Sequence, residues 1–157
     1  METETLAFDR TELRNLYKAF NILGEGAKEE ARRSSNALAS FLQTEIKQAG
    51  YNRTVGSKAV RRIVDGSRVK KSSTTGEITY GFASQRFSGG ANTKNLWAGF
   101  EFGSNKYKQF PSYSGRYGRG SRGWFIYPTL RKNQKAIVRD WTAAFNRILN
   151  KWGVNGI

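Results

Sequence analysis

The chain contains no histidine and no cysteine. The side chains that most often exchange a proton near neutral pH, attack as thiolates or hold zinc are therefore missing. The carboxylates are scattered. Glu29 and Glu30 are adjacent in a helical stretch and so do not share a face, and no second acid accompanies Glu101 in its aromatic stretch. The glycine-rich stretches match neither the P-loop pattern nor a GxGxxG turn at a strand–helix junction. No catalytic, cofactor-binding or metal-ligating residue is assigned, no cofactor is expected, and the chain reads as a structural or binding protein rather than an enzyme.

The residues present are suited to holding a polyanion or an acidic partner. The net charge is +15, from 27 Lys/Arg against 12 Asp/Glu, and it is unevenly placed. Residues 1–52 carry 7 basic and 8 acidic side chains, residues 53–135 carry 17 and 3, and residues 136–157 carry 3 and 1. Within the basic middle, residues 103–123 (GSNKYKQFPSYSGRYGRGSRG) show no hydrophobic period and hold five Gly, three Tyr and five cations. Lys106, Lys108, Arg116, Arg119 and Arg122 are the candidate contacts there, either to DNA or to a neighbouring subunit. Arg and Tyr can meet phosphates and stack on bases, and Gly lets the backbone approach.

The elements that must carry these residues can be read from periodicity. Leu13, Leu16, Tyr17, Phe20 and Leu23 form a helical stripe with Asp9 or Thr11 as its cap, and Gly24 and Gly26 predict a break after it. A second helix is expected from about Glu25 to Ala49, with Gly50 as its stop. Ala27, Ala31, Leu38, Phe41, Leu42, Ile46 and Ala49 fall on one side of it. A short helix is expected over Lys58–Val64, capped by Ser57 and ended by Gly66. Residues 67–72 and 77–82 flank a Ser-Thr-Gly turn and predict a hairpin. Leu96–Phe102 alternates as a third strand, and Trp124–Tyr127 is a further short strand candidate. Pro128 is expected to open a last helix whose stripe is Leu130, Ile137, Trp141, Phe145, Ile148 and Trp152. The order predicts a single α+β domain over residues 1–157: N-terminal helices, a small antiparallel sheet with a long, flexible basic loop over 103–123, and a C-terminal amphipathic helix.

WAGFEFGS at 97–104 and GWFIYPTLRKN at 123–133, ahead of a long final helix, resemble the gene-product-ten-like neck and head–tail joining (tail completion, minor tail) proteins of long-tailed bacteriophages. Members show an aromatic-rich strand ending in Glu-Phe-Gly and, after a variable loop, a Pro-Phe-Leu-Arg-Pro-Ala-Leu-like motif. Here Trp97, Glu101, Phe102 and Gly103 supply the first element. Pro128, Leu130 and Arg131 match parts of the second, with Phe125 as its aromatic. Asn52-Arg-Thr-Val-Gly-Ser57 stands where members often carry Thr-Gly-x-Leu, with Val60 in place of the Leu, and the 103–123 loop is longer and more basic than in the family.

This resemblance implies a virion protein of the neck or tail, assembled in the host cytoplasm. It would be a ring-forming subunit, with six copies expected, joining head and tail around the DNA channel. Its implied partners are further copies of itself, other neck and tail proteins and the genomic DNA, without a membrane. Glu101 has two readings: a contact fixed in the fold or across a subunit interface, or a strand-edge acid paired with a nearby Arg or Lys. The alternative function is a free, sequence-independent nucleic-acid-binding protein.

Overall fold

A computed structural model describes residues 10–53, 57–72, 76–80, 86–87, 89–104, 106–107, 110 and 123–153. The fold is α+β and mostly helical. Its elements in order are α1 (Arg10–Leu23), α2 (Glu25–Tyr51), α3 (Ser57–Asp65), β1 (Arg68–Val69), β2 (Ile78–Thr79), α4 (Thr93–Phe102), α5 (Ile126–Lys132) and α6 (Gln134–Trp152). Within the single span read from sequence, they gather into two compact units. One is formed by the described residues within 1–38, 70–77 and 134–157, the other by those within 39–69 and 78–133.

The first unit is built around small residues. Ala27 and Ala31 on α2 are fully buried, and they pack with Phe20 of α1 and Ile148 of α6 into one cluster. Phe20 and Phe145 meet edge to face at 6.2 Å. Gly24 ends α1 with a φ of 96°, a conformation that costs an L side chain but not glycine. Gly26 does not break the chain as expected. It lies inside α2, where an added Cβ would stand 2.5 Å from Trp152 Nε1, so its missing side chain makes room for the indole. On the outer surface, Glu25–Lys28, Glu29–Arg32 and Glu30–Arg33 form i,i+3 ion pairs, each worth about 0.2–0.5 kcal/mol.

The second unit holds the larger core, in which Ile46, Val60, Ile63, Val64, Phe100, Phe110, Phe125 and Ile126 are buried together. Burying each such side chain contributes roughly 1.5–3 kcal/mol. Gly50, expected to stop α2, also sits inside that helix, and an added Cβ would stand 2.7 Å from Val64 Cγ1. Phe41 leaves the expected apolar side and is exposed. Gln43 on α2 donates through Nε2 to the Ser67 carbonyl at 2.7 Å and to Ser67 Oγ at 3.1 Å, fixing the chain where β1 begins.

The hairpin is shorter than expected. Arg68 pairs with Thr79 and Val69 with Ile78, and Lys70 N–H extends the ladder to Glu77 O at 2.8 Å. The centre of the expected turn and residues 81 and 82 lie outside the described residues.

Two further expectations are corrected. Leu96–Phe102 is the body of α4, not a strand. Thr93, Leu96, Trp97, Phe100 and Glu101 recur at helical spacing on its covered side. Asn92 caps the helix, its side chain accepting from Asn95 N–H at 3.0 Å. Trp124–Tyr127 is not a strand either, since α5 begins at Ile126. Pro128 sits in the first turn of α5, where the absent N–H is not needed. The expected single last helix is two: α5 closes at Asn133, whose N–H reaches Thr129 O at 3.1 Å, and α6 starts at Gln134.

Candidate functional site

Glu101 is fully buried on α4, yet its carboxylate faces backbone rather than a cation. Oε2 accepts from Phe125 N–H and Ile126 N–H, both at 2.9 Å, and Oε1 accepts from Tyr127 N–H at 2.8 Å. The first N–H groups of a helix have no partner within it, and here the side chain of another helix supplies one. The contact is thus fixed within the fold; no Arg or Lys pairs with Glu101 among the described residues, and the strand-edge ion pair is set aside. Burial pushes the carboxyl above its usual range, and the N–H groups of Ile126, Phe125 and Tyr127 hold it back. Burial also raises the Tyr80 phenol, with Glu101 adding to the effect.

The other motif residues frame this contact. Gly103 ends α4 with φ 74°, its N–H bonding Gly99 O at 2.7 Å. Gly99 lies against Phe110, whose ring an added Cβ would meet at 2.5 Å. Phe110 in turn meets Phe100 edge to face at 5.2 Å. Trp97 stacks on Tyr80 at 5.4 Å, and Phe102 meets the Tyr127 ring at 5.4 Å. Leu130 packs against the core, and Arg131 is half-buried near the end of α5. Pro128 lines a cleft of about 290 Å³ between α2 and α5, together with Glu45, Gln48, Asn52, Arg53 and Lys132. Arg53 lies over the Trp124 ring at 4.8 Å, and its Nε is buried without a hydrogen-bond partner among the described residues.

Of the candidate polyanion contacts, Lys106 is exposed, beside a turn in which Lys106 N–H and Tyr107 N–H both reach Ser104 Oγ. Lys108, Arg116, Arg119 and Arg122 lie outside the described residues.

A different basic feature emerges from the fold. Among the described residues the second unit holds 11 Lys/Arg and 3 Asp/Glu, a net of +8, against 12 and 6, a net of +6, in the first; what separates them is how the charges are paired. The ion pairs between described residues all lie in the first unit: Lys28–Glu25, Arg32–Glu29, Arg33–Glu30, Lys70–Glu77, Arg139–Asp140 and Arg147–Glu30. The linear charge count could not show this, because it places Lys70, Lys71, Glu77 and Lys135 in the basic middle. Among the described residues, no group of three metal-ligating side chains is assembled and no helix is long and apolar enough to cross a membrane.

No protein-family model matches this chain, and neither do the curated proteins or the solved structures with which it was compared.

Proposed function

We propose that the chain is a structural subunit of a bacteriophage neck or tail, one copy of a ring that joins head and tail around the DNA channel. The observation that carries this reading is the Glu101 carboxylate on the backbone of Phe125, Ile126 and Tyr127. The resemblance rests on two separate stretches, Trp97–Gly103 and Pro128–Arg131. The hydrogen bonds tie the Glu of the first to the backbone immediately before the Pro of the second. The first stretch is a helix here and not the strand that the family shows, so the support lies in the direct contact between the two stretches and not in a shared secondary structure. The partners on this reading are further copies of the chain, six in a ring, other neck and tail proteins, and the genomic DNA.

Light scattering of the purified chain over rising concentration tests the reading, together with its incorporation into capsid or tail parts. A closed oligomer that joins either part is the expected result. A chain that stays monomeric throughout and joins neither would exclude it.

The uneven charge favours a second reading, a free nucleic-acid-binding protein that recognises backbone rather than sequence. Tight binding of DNA by a monomer, with no incorporation into virion parts, is the outcome that would select it.

A further inference from the structure

Among the described residues of the second unit, five of the eight exposed cations lie on α3 and at or beside the start of α4. Val60, Ile63 and Val64 of α3 are completely buried, which turns Lys58, Arg61 and Arg62 outward. These three stand at i, i+3 and i+4, and therefore on one face. Arg62 is held at the surface, with Nη1 donating to Arg86 O at 2.9 Å and its guanidinium 5.2 Å from the Phe87 ring centroid. Arg86 forms an antiparallel bridge with Asn92, the cap of α4, and exposed Lys94 follows in the first turn of that helix. Five cations thus follow one connected surface. The acid on α3, Asp65, accepts a hydrogen bond from the Tyr51 hydroxyl.

Asp65, at i+4 from Arg61 and i+3 from Arg62, lies on the same face and offsets part of this positive charge, but the three cations still repel one another. Like charges at i,i+4, as in Lys58 and Arg62, destabilise a helix by about 0.2–0.5 kcal/mol, and no carboxylate among the described residues pairs with them. A ligand with dense, regular negative charge would reverse the sign of that term. Duplex DNA is such a ligand, with one charge per ~1.7 Å of axis. An acidic protein fits less well, because protein interfaces have an apolar core with charge at the rim, whereas the apolar residues of α3 are committed to the interior.

We propose that the outward face of α3, with Arg86 and Lys94 beside it, binds the phosphate backbone of duplex DNA without reading its sequence. The inference deepens the ring reading by naming where the channel DNA would be met. Its test uses the purified full chain and does not require a ring, so the two fail separately: light scattering reports the ring, DNA binding reports this surface.

The experiment is fluorescence anisotropy with short duplexes of two unrelated sequences, titrated from low to physiological salt. Five phosphate contacts predict a slope of log K on log salt of about −4.5, equal for both sequences. The Lys58→Gln/Arg61→Gln/Arg62→Gln variant should lose roughly 3 of that slope and bind at least tenfold more weakly. A control with the same charge change in the first unit, Lys18→Gln/Lys135→Gln/Lys151→Gln, should bind as the wild type does. Because Arg62 also contacts Arg86, a Lys58→Gln/Arg61→Gln variant keeps that contact and should lose about 2 of the slope. The proposal is overturned by absence of salt-dependent binding, by clear preference for one sequence, or by equal losses in the two triple variants. It is equally overturned if Arg116→Gln/Arg119→Gln/Arg122→Gln abolishes binding while the α3 variants leave it intact.

Discussion

Glu101 and Gly123 fit together only because Gly123 has no side chain. A Cβ at residue 123 would collide with Glu101 Oε1 and stand 2.8 Å from Tyr127 Cβ, and the residue holds φ 74°. The glycine therefore meets two demands at once, a left-handed backbone and room for a buried carboxylate.

Gly123→Ala is expected to destabilise the fold by about 1–3 kcal/mol from backbone strain, with the steric clash adding to it. Chemical denaturation should show a lowered midpoint with an unchanged slope. A midpoint equal to that of the wild type would mean that the Glu101 contact gives way at no cost.

Glu101→Gln keeps the size of the side chain but replaces one acceptor oxygen by an NH2 donor. At least one of the three backbone N–H groups then faces a donor inside the core. The expected loss is roughly 1–3 kcal/mol, the cost of a buried polar group left unpaired. Glu101→Ala should cost more, since it strands all three N–H groups. If both variants unfold at the wild-type midpoint, the contact does not stabilise the fold.

The same residue predicts a pH dependence. Burial raises its carboxyl above the ordinary value of 4.5, against the pull of the three N–H donors. The folded chain then takes up this proton at a higher pH than the unfolded chain. The associated stability is complete below the unfolded value and is lost as pH rises through the folded one. The advantage of wild type over Glu101→Gln should therefore grow as pH falls from neutral toward the unfolded value. Carbon-13 NMR of the Glu101 carboxyl should give a midpoint above 4.5. A midpoint below that would show that the N–H groups outweigh burial.

Gly26 and Trp152 offer a double-mutant cycle in the first unit. Replacing glycine by alanine within a helix ordinarily stabilises it by about 0.5–1 kcal/mol. At Gly26 the new methyl would press on the Trp152 indole. Gly26→Ala should therefore destabilise the wild type and stabilise a Trp152→Ala background, as measured by thermal unfolding. The same sign in both backgrounds would rule out the packing role.

Much of the helical framework was legible because apolar period and burial coincide. Phe20, Ala27, Ala31, Leu42, Ile46 and Ile148 mark covered faces in the sequence and are buried in the structure. Glycine was harder. Gly24 does end a helix, but Gly26 and Gly50 lie inside one, against Trp152 and Val64, and a sequence does not distinguish glycine needed for a turn from glycine needed for close approach. The Leu96–Phe102 stretch misled for a related reason. Its aromatics alternate as a strand would, while the same residues fit a helical stripe from Thr93. The cap at Asn92 was the available signal for the helix. Glu101 stood out in sequence as an acid among aromatics, but its partners are backbone groups, and backbone carries no residue-specific mark.

The sequence by itself determined the chemistry open to this protein: strong positive charge and neither histidine nor cysteine, with apolar stripes that commit the N- and C-terminal stretches to helices. The charge, too, was visible from composition alone. Tertiary structure decided which charges balance one another, because ion pairs depend on distance in space and the fold places those between described residues in the first unit. It also decided what Glu101 holds. A carboxylate satisfied by three N–H groups exists only once α4 and the start of α5 are packed together, and local periodicity contains no term for that contact.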